Sequence, residues 1–178
     1  MISYQTTSPG APLVRVESET PQPQGTEVLM KTIACGVCHS DIHIHDGVFE
    51  LGAGKQLAVG QEGMVLGHEI FAEVVALGPD AGDVAVGERR VVFPWIGCGE
   101  CAACKRGEEQ LCTPGRALGI VAAGGFADHV LVPHRRYLFD KGDVPETLAA
   151  TYACSGLTAY GALKKVGALV TGDEVVII

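Results

Sequence analysis

The sequence predicts a mostly β domain of irregular antiparallel strands over residues 1–150, followed at 151–178 by the first helix and strand of an α/β unit. Three observations carry this. Short segments rich in Val, Ile and Thr recur between Pro12 and Phe139. Gly and Pro punctuate them. After "KGDVPE" the texture turns to apolar residues at helical spacing with few β-branched side chains.

Taken in order, "TEVLMKTIACG", "EIFAEVVALG", "ERRVVFPW" and "FADHVLVP" each have the length and β-branched content of a strand bounded by turn residues. "ETLAATYACSGLTAYGALKKVG" then reads as helix, and "TGDEVVII" as a turn leading into a buried strand. A short apolar strand after a helix is how a parallel α/β sheet begins. Internal repeats and low-complexity segments are absent from the sequence, which sets repeat architectures aside.

Composition excludes several classes. A length of 178 residues fits one substantial domain, since a domain takes roughly 100–200. The formal net charge of −8 and the scattered Lys and Arg residues argue against a nucleic-acid surface, which needs clustered cations to displace counterions. No apolar run approaches the ~20 residues that span a bilayer, so no membrane partner is expected. The start, "MISYQTTSPGAP", lacks the basic and apolar regions of a secretory leader. The expected compartment is therefore the cytoplasm, where cysteines stay reduced and metal ligation outranks disulfides.

Four of the seven cysteines, Cys98, Cys101, Cys104 and Cys112, fall in "GCGECAACKRGEEQLC". Their C-x2-C-x2-C-x7-C spacing lets four thiolates converge on one zinc at about 2.3 Å each. Such a site has no position left for water or substrate, so it is structural. An iron–sulfur cluster is the rival occupant, and unligated cysteines are the remaining alternative. Of the other three, Cys38 and Cys154 pair with His68 of "LGHEI" as a thiolate, imidazole, thiolate set that would leave a fourth zinc position open. Spacing alone leaves this set open, because a buried cysteine is more often a small core residue.

Read together, "ACGVCHSDIHIHDG", "LGHE", the four-cysteine loop, "GGFADHVLVP", "ACSGLTAYGAL" and "GDEVVII" resemble, in that order, the zinc-dependent alcohol dehydrogenases of the medium-chain dehydrogenase/reductase family. The resemblance covers nearly the whole chain. It implies a GroES-like catalytic domain followed by a Rossmann-type cofactor domain, of which only the first helix and strand are present. It also implies two zinc ions, one catalytic and one structural, NAD or NADP as cofactor, a small alcohol, aldehyde or ketone as substrate, and a homodimeric or homotetrameric full-length enzyme.

By matching motif, the resemblance makes Cys38 of "GVCHSD", His68 of "GHE" and Cys154 of "ACSG" the catalytic zinc ligands, with Glu69 as the acidic neighbour able to approach the metal. Asp41 matches the carboxylate that fixes the His68 imidazole, with a helix-start cap as its alternative. Ser40 and His43 match a proton relay from the zinc-bound alcohol toward solvent, helix cap and exposed histidine being the plain readings. His39 falls where the family presents a group to the cofactor pyrophosphate, and Thr158 where it places a residue beneath the nicotinamide. Phe49 and Trp95 correspond to substrate-pocket positions, or else to plain core aromatics. Cys35 matches no ligand position and reads as a small buried residue. His45, His129 and His134 carry no implied role.

The Gly-rich phosphate loop and the acidic residue some ~20 positions later, which bind a dinucleotide, do not occur after "EVVII". The chain alone is therefore expected to bind a dinucleotide poorly and to be the front part of a longer enzyme. Two other functions stay open. One is a polyol or aldehyde-conjugate dehydrogenase of the same family, although polyol members typically place Glu near the position of Cys154. The other is a non-catalytic zinc-stapled β binding module.

Overall fold

A computed structural model describes residues 1–113, 115–166 and 174. The chain opens with an antiparallel hairpin of β1 (Ile2–Gln5) and β2 (Val14–Glu17). β3 (Val28–Gly36) follows, then helix α1 (His39–Asp46) and a small hairpin of β4 (Val48–Glu50) and β5 (Gln56–Ala58). Next come β6 (Glu69–Leu77), β7 (Arg89–Val92), the short helix α2 (Ala102–Lys105), β8 (His129–Val132) and β9 (Leu138–Phe139). Helix α3 (Glu146–Ala149), a 3-10 turn at Ala150–Ala153 and α4 (Ser155–Val166) end the described elements.

Five strands form one antiparallel sheet in the order β8-β3-β6-β7-β9. Alternation along the strands decides its two faces. Val28 and Met30 of β3, Ile70, Ala72 and Val74 of β6, and Val130 and Val132 of β8 point into one buried cluster with Val92 and Tyr137. Phe71 and Val91 point the other way and are covered by Ala149, Ala150 and Ala153. Alanines there let the helical turn approach the sheet closely. Each fully buried large aliphatic or aromatic side chain stabilises by about 1.5–3 kcal/mol, so these two clusters make the sheet the rigid base of the molecule.

The four segments read as strands contain β3, β6, β7 and β8, so the mostly β, antiparallel expectation holds. The helical expectation over 146–167 is only partly met, because the helix is broken. At Cys154 the backbone leaves helical geometry, at φ −133° and ψ −76°, and α4 restarts at Ser155. A continuous helix would have kept Cys154 in phase with its neighbours; the break re-aims its side chain toward the sheet. The strand expected at 175–178 lies outside the described residues.

β3 and β6 pair with two register shifts, the second between Thr32 and Ala34, and beyond it Cys35 faces Ile70 and Gly36 faces Glu69. Such bulges bend a strand and re-aim its end. Here the bend brings the end of β3, and with it the start of α1, against the segment that leads into β6. Gly67 in that segment has φ +89°, and a methyl at its Cα would lie 2.5 Å from the Phe126 ring and 2.8 Å from the Cys35 sulfur. Its carbonyl also accepts the Gly125 N–H at 2.7 Å.

Gly67→Ala should therefore cost about 2–5 kcal/mol, since left-handed strain and overpacking act together. Gly10, at φ +70° with nothing within 4 Å of an added methyl, supplies the control. Gly10→Ala should cost only about 1 kcal/mol. Denaturant unfolding of both variants checks this, and equal losses would refute the packing argument.

Candidate functional site

Cys38 is the residue from which α1 starts. Its backbone is extended, at φ −82° and ψ 153°, and a reciprocal capping box links it to Asp41 at the third helical position. Asp41 Oδ2 accepts the Cys38 N–H at 2.9 Å. The other oxygen, Oδ1, accepts the Gly67 N–H at 3.1 Å and lies 3.2 Å from His68 Nδ1. Asp41 is thus both the helix-start cap and the carboxylate beside the His68 ring. Ser40 turns its backbone N–H and hydroxyl toward the Cys38 sulfur. These two donors and the His68 imidazole outweigh burial and hold the thiol below its ordinary value.

His68 is completely buried, with its ring centroid 6.2 Å from that of Trp95. The Asp41 contact has ion-pair distance but lies off a hydrogen-bond axis, and among the described residues neither ring nitrogen has a hydrogen-bond partner. An unpartnered buried polar group costs about 1–3 kcal/mol, so this ring is built to give a lone pair to something else. With Nδ1 turned to Asp41, Nε2 is the nitrogen left for a metal. The Cys154 sulfur comes from the break before α4 and lies 3.9 Å from the Cys38 sulfur. The ligand atoms of Cys38, His68 and Cys154 all fall within 4.8 Å of one another. Two thiolates on a tetrahedral zinc at about 2.3 Å stand about 3.8 Å apart, so the donor set and its spacing fit that ion.

Glu69 does not belong to this converging set. It is buried, and its Oε1 accepts the Ser155 N–H at 3.1 Å, a carboxylate at the N-terminus of α4. A methyl on Gly36 would lie 2.1 Å from Glu69 Oε2, so the glycine makes room for the carboxylate. Sequence reading missed Gly36 and Gly67; a glycine directly before His68 and another across the strand pair from Glu69 were the available signals.

His39, His43 and Phe49 cluster on and beside α1, while Thr158 lies on α4. His39 is exposed and its ring lies 4.5 Å from that of His43, which in turn lies 4.9 Å from the Phe49 ring on β4. Thr158 sits exposed on α4, its N–H donating to the Cys154 carbonyl at 2.8 Å. Cys35 stays apart: burial, then the nearby Asp41 charge, pushes its thiol up to about 12, so it remains protonated and inert. His45 is within 2.7 Å of the Ala11 carbonyl, and His129 pairs with Asp128. An apolar hollow of about 260 Å³ lined by Val91, Phe93, Phe139 and Tyr152 shares no residue with the metal-ligand sets.

A second set lies in the loop before β8. The sulfurs of Cys98, Cys101, Cys104 and Cys112 lie within 4.8 Å of one another, with individual separations of 3.5 to 3.9 Å. Backbone N–H groups point at them, from Cys98 to the Cys112 sulfur and from Cys101 to the Cys98 sulfur, both at 3.3 Å. The amides of Cys101 and Glu100 hold the Cys98 thiol down at about 6, favouring the thiolate that a metal needs. Four sulfurs leave no open coordination position.

Residues 24–146 match the family model described as the alcohol dehydrogenase GroES-like domain. The chain belongs to this family. Within the alcohol dehydrogenase GroES-like family it is 40% identical over 157 residues to an NAD-dependent alcohol dehydrogenase of Sulfurisphaera tokodaii, covering 88% of this chain and 45% of that protein. It is 32% identical over 149 residues to an L-threonine 3-dehydrogenase of Pyrococcus horikoshii, covering 84% of this chain and 41% of the other. Among solved structures, a cobalt- and zinc-bound thermostable alcohol dehydrogenase from Pyrobaculum aerophilum superimposes with a TM-score of 0.78 at 30% identity, over 93% of this chain and 48% of that one. The GroES-like chain therefore spans less than half the length of these relatives.

The His68 environment sets a pH dependence. Burial alone would lower its basicity, but Asp41 and then Cys154 outweigh it and lift the imidazole from 6.5 to about 11 in the metal-free chain. The folded state then holds a proton that the unfolded state releases above about 6.5, so metal-free stability falls as pH rises from there toward about 11. Thermal unfolding of metal-free protein should show Tm declining through this window, with Asp41→Asn flattening the slope. Identical slopes would exclude the Asp41–His68 pair as its source. Metal uptake must displace the same proton, so it should release protons and weaken in acid.

Proposed function

We propose that this chain is the catalytic-domain portion of a zinc-dependent alcohol dehydrogenase that oxidises a primary or secondary alcohol to an aldehyde or ketone, reversibly, with NAD or NADP. The observation that carries the reading is the convergence of Cys38, buried and unpartnered His68, and Cys154 into a three-donor set with a fourth position to spare. Zinc held there would act as a Lewis acid on the alcohol oxygen, and the nicotinamide would take the hydride. The four-cysteine set, holding the second zinc, keeps its loop in shape.

The chain's own residues do the rest. Asp41 orients His68 and balances charge at the set. Ser40 Oγ, beside the Cys38 sulfur, is placed to receive the alcohol proton, and the half-buried His43 imidazole is the acceptor that passes it toward solvent. Glu69, held by Ser155, keeps a carboxylate beside the ligands. Trp95 next to His68 and Phe49 next to His43 bound the space for a small or slim substrate. His39 and Thr158, both exposed, face the cofactor pyrophosphate and nicotinamide in this reading. The relatives acting as alcohol and L-threonine dehydrogenases support alcohol oxidation as the shared chemistry.

Metal analysis of the purified protein should give two zinc ions per chain. Cys98→Ser should lose one and destabilise the fold, while Cys38→Ser should lose the other with the fold retained. One zinc in the wild type, unchanged by Cys38→Ser, would remove the three-donor site.

In the full-length enzyme, His43→Gln should leave zinc content intact and slow alcohol oxidation most at lower pH, by about 10²–10⁴-fold or less, because only a proton acceptor is lost and hydroxide can partly replace it. His68→Ala should abolish turnover at every pH, because a metal ligand is lost. An unchanged pH–rate profile for His43→Gln would exclude His43 as the acceptor.

A further inference from the structure

We infer that Glu109 is a positioning residue: it locks the four-cysteine loop to the sheet and, through Gly97, holds Trp95 in place against His68. This rests on the reading that the four cysteines bind a metal. The loop from 97 to 115 has its neck zipped shut, with Leu118 N–H donating to the Pro94 carbonyl and Arg116 N–H to the Ile96 carbonyl, both at 2.9 Å. Inside the neck the loop has little apolar packing. Of residues 98–111 none is buried, and Cys112 is the only buried cysteine of the four. Its shape must come from polar contacts and metal.

A single carboxylate oxygen gathers the polar contacts. Glu109 Oε2 accepts the Gly97 N–H at 3.0 Å, the Tyr137 hydroxyl at 2.6 Å and Arg136 Nη2 at 3.5 Å. Tyr137 is 3% exposed, belongs to the main core and stacks near Phe93 at 6.5 Å between ring centroids. Burial, and then its hydrogen bond to Glu109, pushes its phenol up against the lowering effect of Arg136, so it stays a donor. Arg136 lies over the Tyr137 ring at 4.8 Å and supplies the cation that lets a carboxylate sit beside thiolates. The three donors come from the loop neck, the core and the surface, so Glu109 joins these three regions at one carboxylate.

Gly97 passes this constraint in two directions. A methyl on it would lie 2.6 Å from the Cys104 sulfur and 2.8 Å from Glu109 Oε2, so the thiol and the carboxylate both close on the same bare face of this glycine. Two residues upstream, beyond buried Ile96, stands Trp95, whose ring is 6.2 Å from that of His68. The closed set and the three-donor set are thereby joined along one short run of backbone. Trp95 is the sole tryptophan in the sequence and is a built-in reporter of that join.

The test uses the full zinc-loaded 178-residue chain. Zinc release by a mercurial thiol reagent is followed with a chromogenic chelator while Trp95 emission is recorded, and the loop phase is the one missing from Cys98→Ser. Glu109→Ala should release loop zinc about tenfold faster or more and shift Trp95 emission to the red, in line with the usual effect of removing a group that supports metal ligands. Glu109→Gln, which keeps an acceptor oxygen without the charge, should fall between; Tyr137→Phe should accelerate release less, because the Gly97 contact survives. Where Glu109→Ala fails to fold, the Glu109→Gln and Tyr137→Phe pair decides. Wild-type release rates and emission in the Glu109 variants would overturn the role of Glu109. Equal zinc content in the wild type and Cys98→Ser would instead overturn the metal reading beneath it.

Discussion

One buried carboxylate holds the front of this molecule together. Asp41 closes the first turn of α1 with one oxygen, and with the other it holds the Gly67 amide and faces the His68 ring. The start of a helix and the start of a strand, almost thirty residues apart, are thus fixed by a single side chain. A buried charge is tolerated only when it is well paired, and removing one partner of such a set typically costs several kcal/mol. Helix α1, the approach of Gly67 and the orientation of His68 therefore stand or fall as a unit.

The two sets of sulfur donors show two ways of assembling a metal site. In the loop the four cysteines are close in sequence, and backbone amides and a neck closed by two backbone hydrogen bonds preshape them; the result is closed on all sides. The three-donor set is drawn from the start of α1, the start of β6 and the break before α4, elements far apart in sequence that Asp41 and Glu69 tie together. Its third donor is obtained by interrupting a helix at Cys154, a local cost tolerated because the same break exposes the Ser155 amide to Glu69. What differs chemically follows from count: four donors complete a tetrahedron and three leave it open.

Much of the fold was legible. Short runs rich in Val, Ile and Thr bounded by Gly and Pro marked the central strands, because β-branched side chains suit a packed pleated surface and turn residues end it. The four-cysteine loop was legible because its donors are adjacent along the chain. The helix break at Cys154 was not, since helical spacing of apolar residues continues across it and only the contacts of Glu69 and Cys154 with the sheet explain the interruption. Asp41 was legible as either cap or histidine partner, and the fold makes it both. In sequence Glu109 is one of several acidic residues in a polar loop, and only the fold puts the Gly97 amide and the Tyr137 hydroxyl on one of its oxygens.

By itself the sequence determined the β character, the local metal loop and the kinds of donor present, because each depends on side-chain type and short-range spacing. Tertiary structure alone decided which distant donors meet, that His68 is buried with no hydrogen-bond partner among the described residues, and that Glu69 is turned to Ser155 instead of joining the cysteines. The reason is that a bulged pairing of β3 with β6 brings residues 38 and 68 together, packing of residues 149–153 on the sheet adds 154, and the period of a strand or helix contains no information about how its far neighbours will pack.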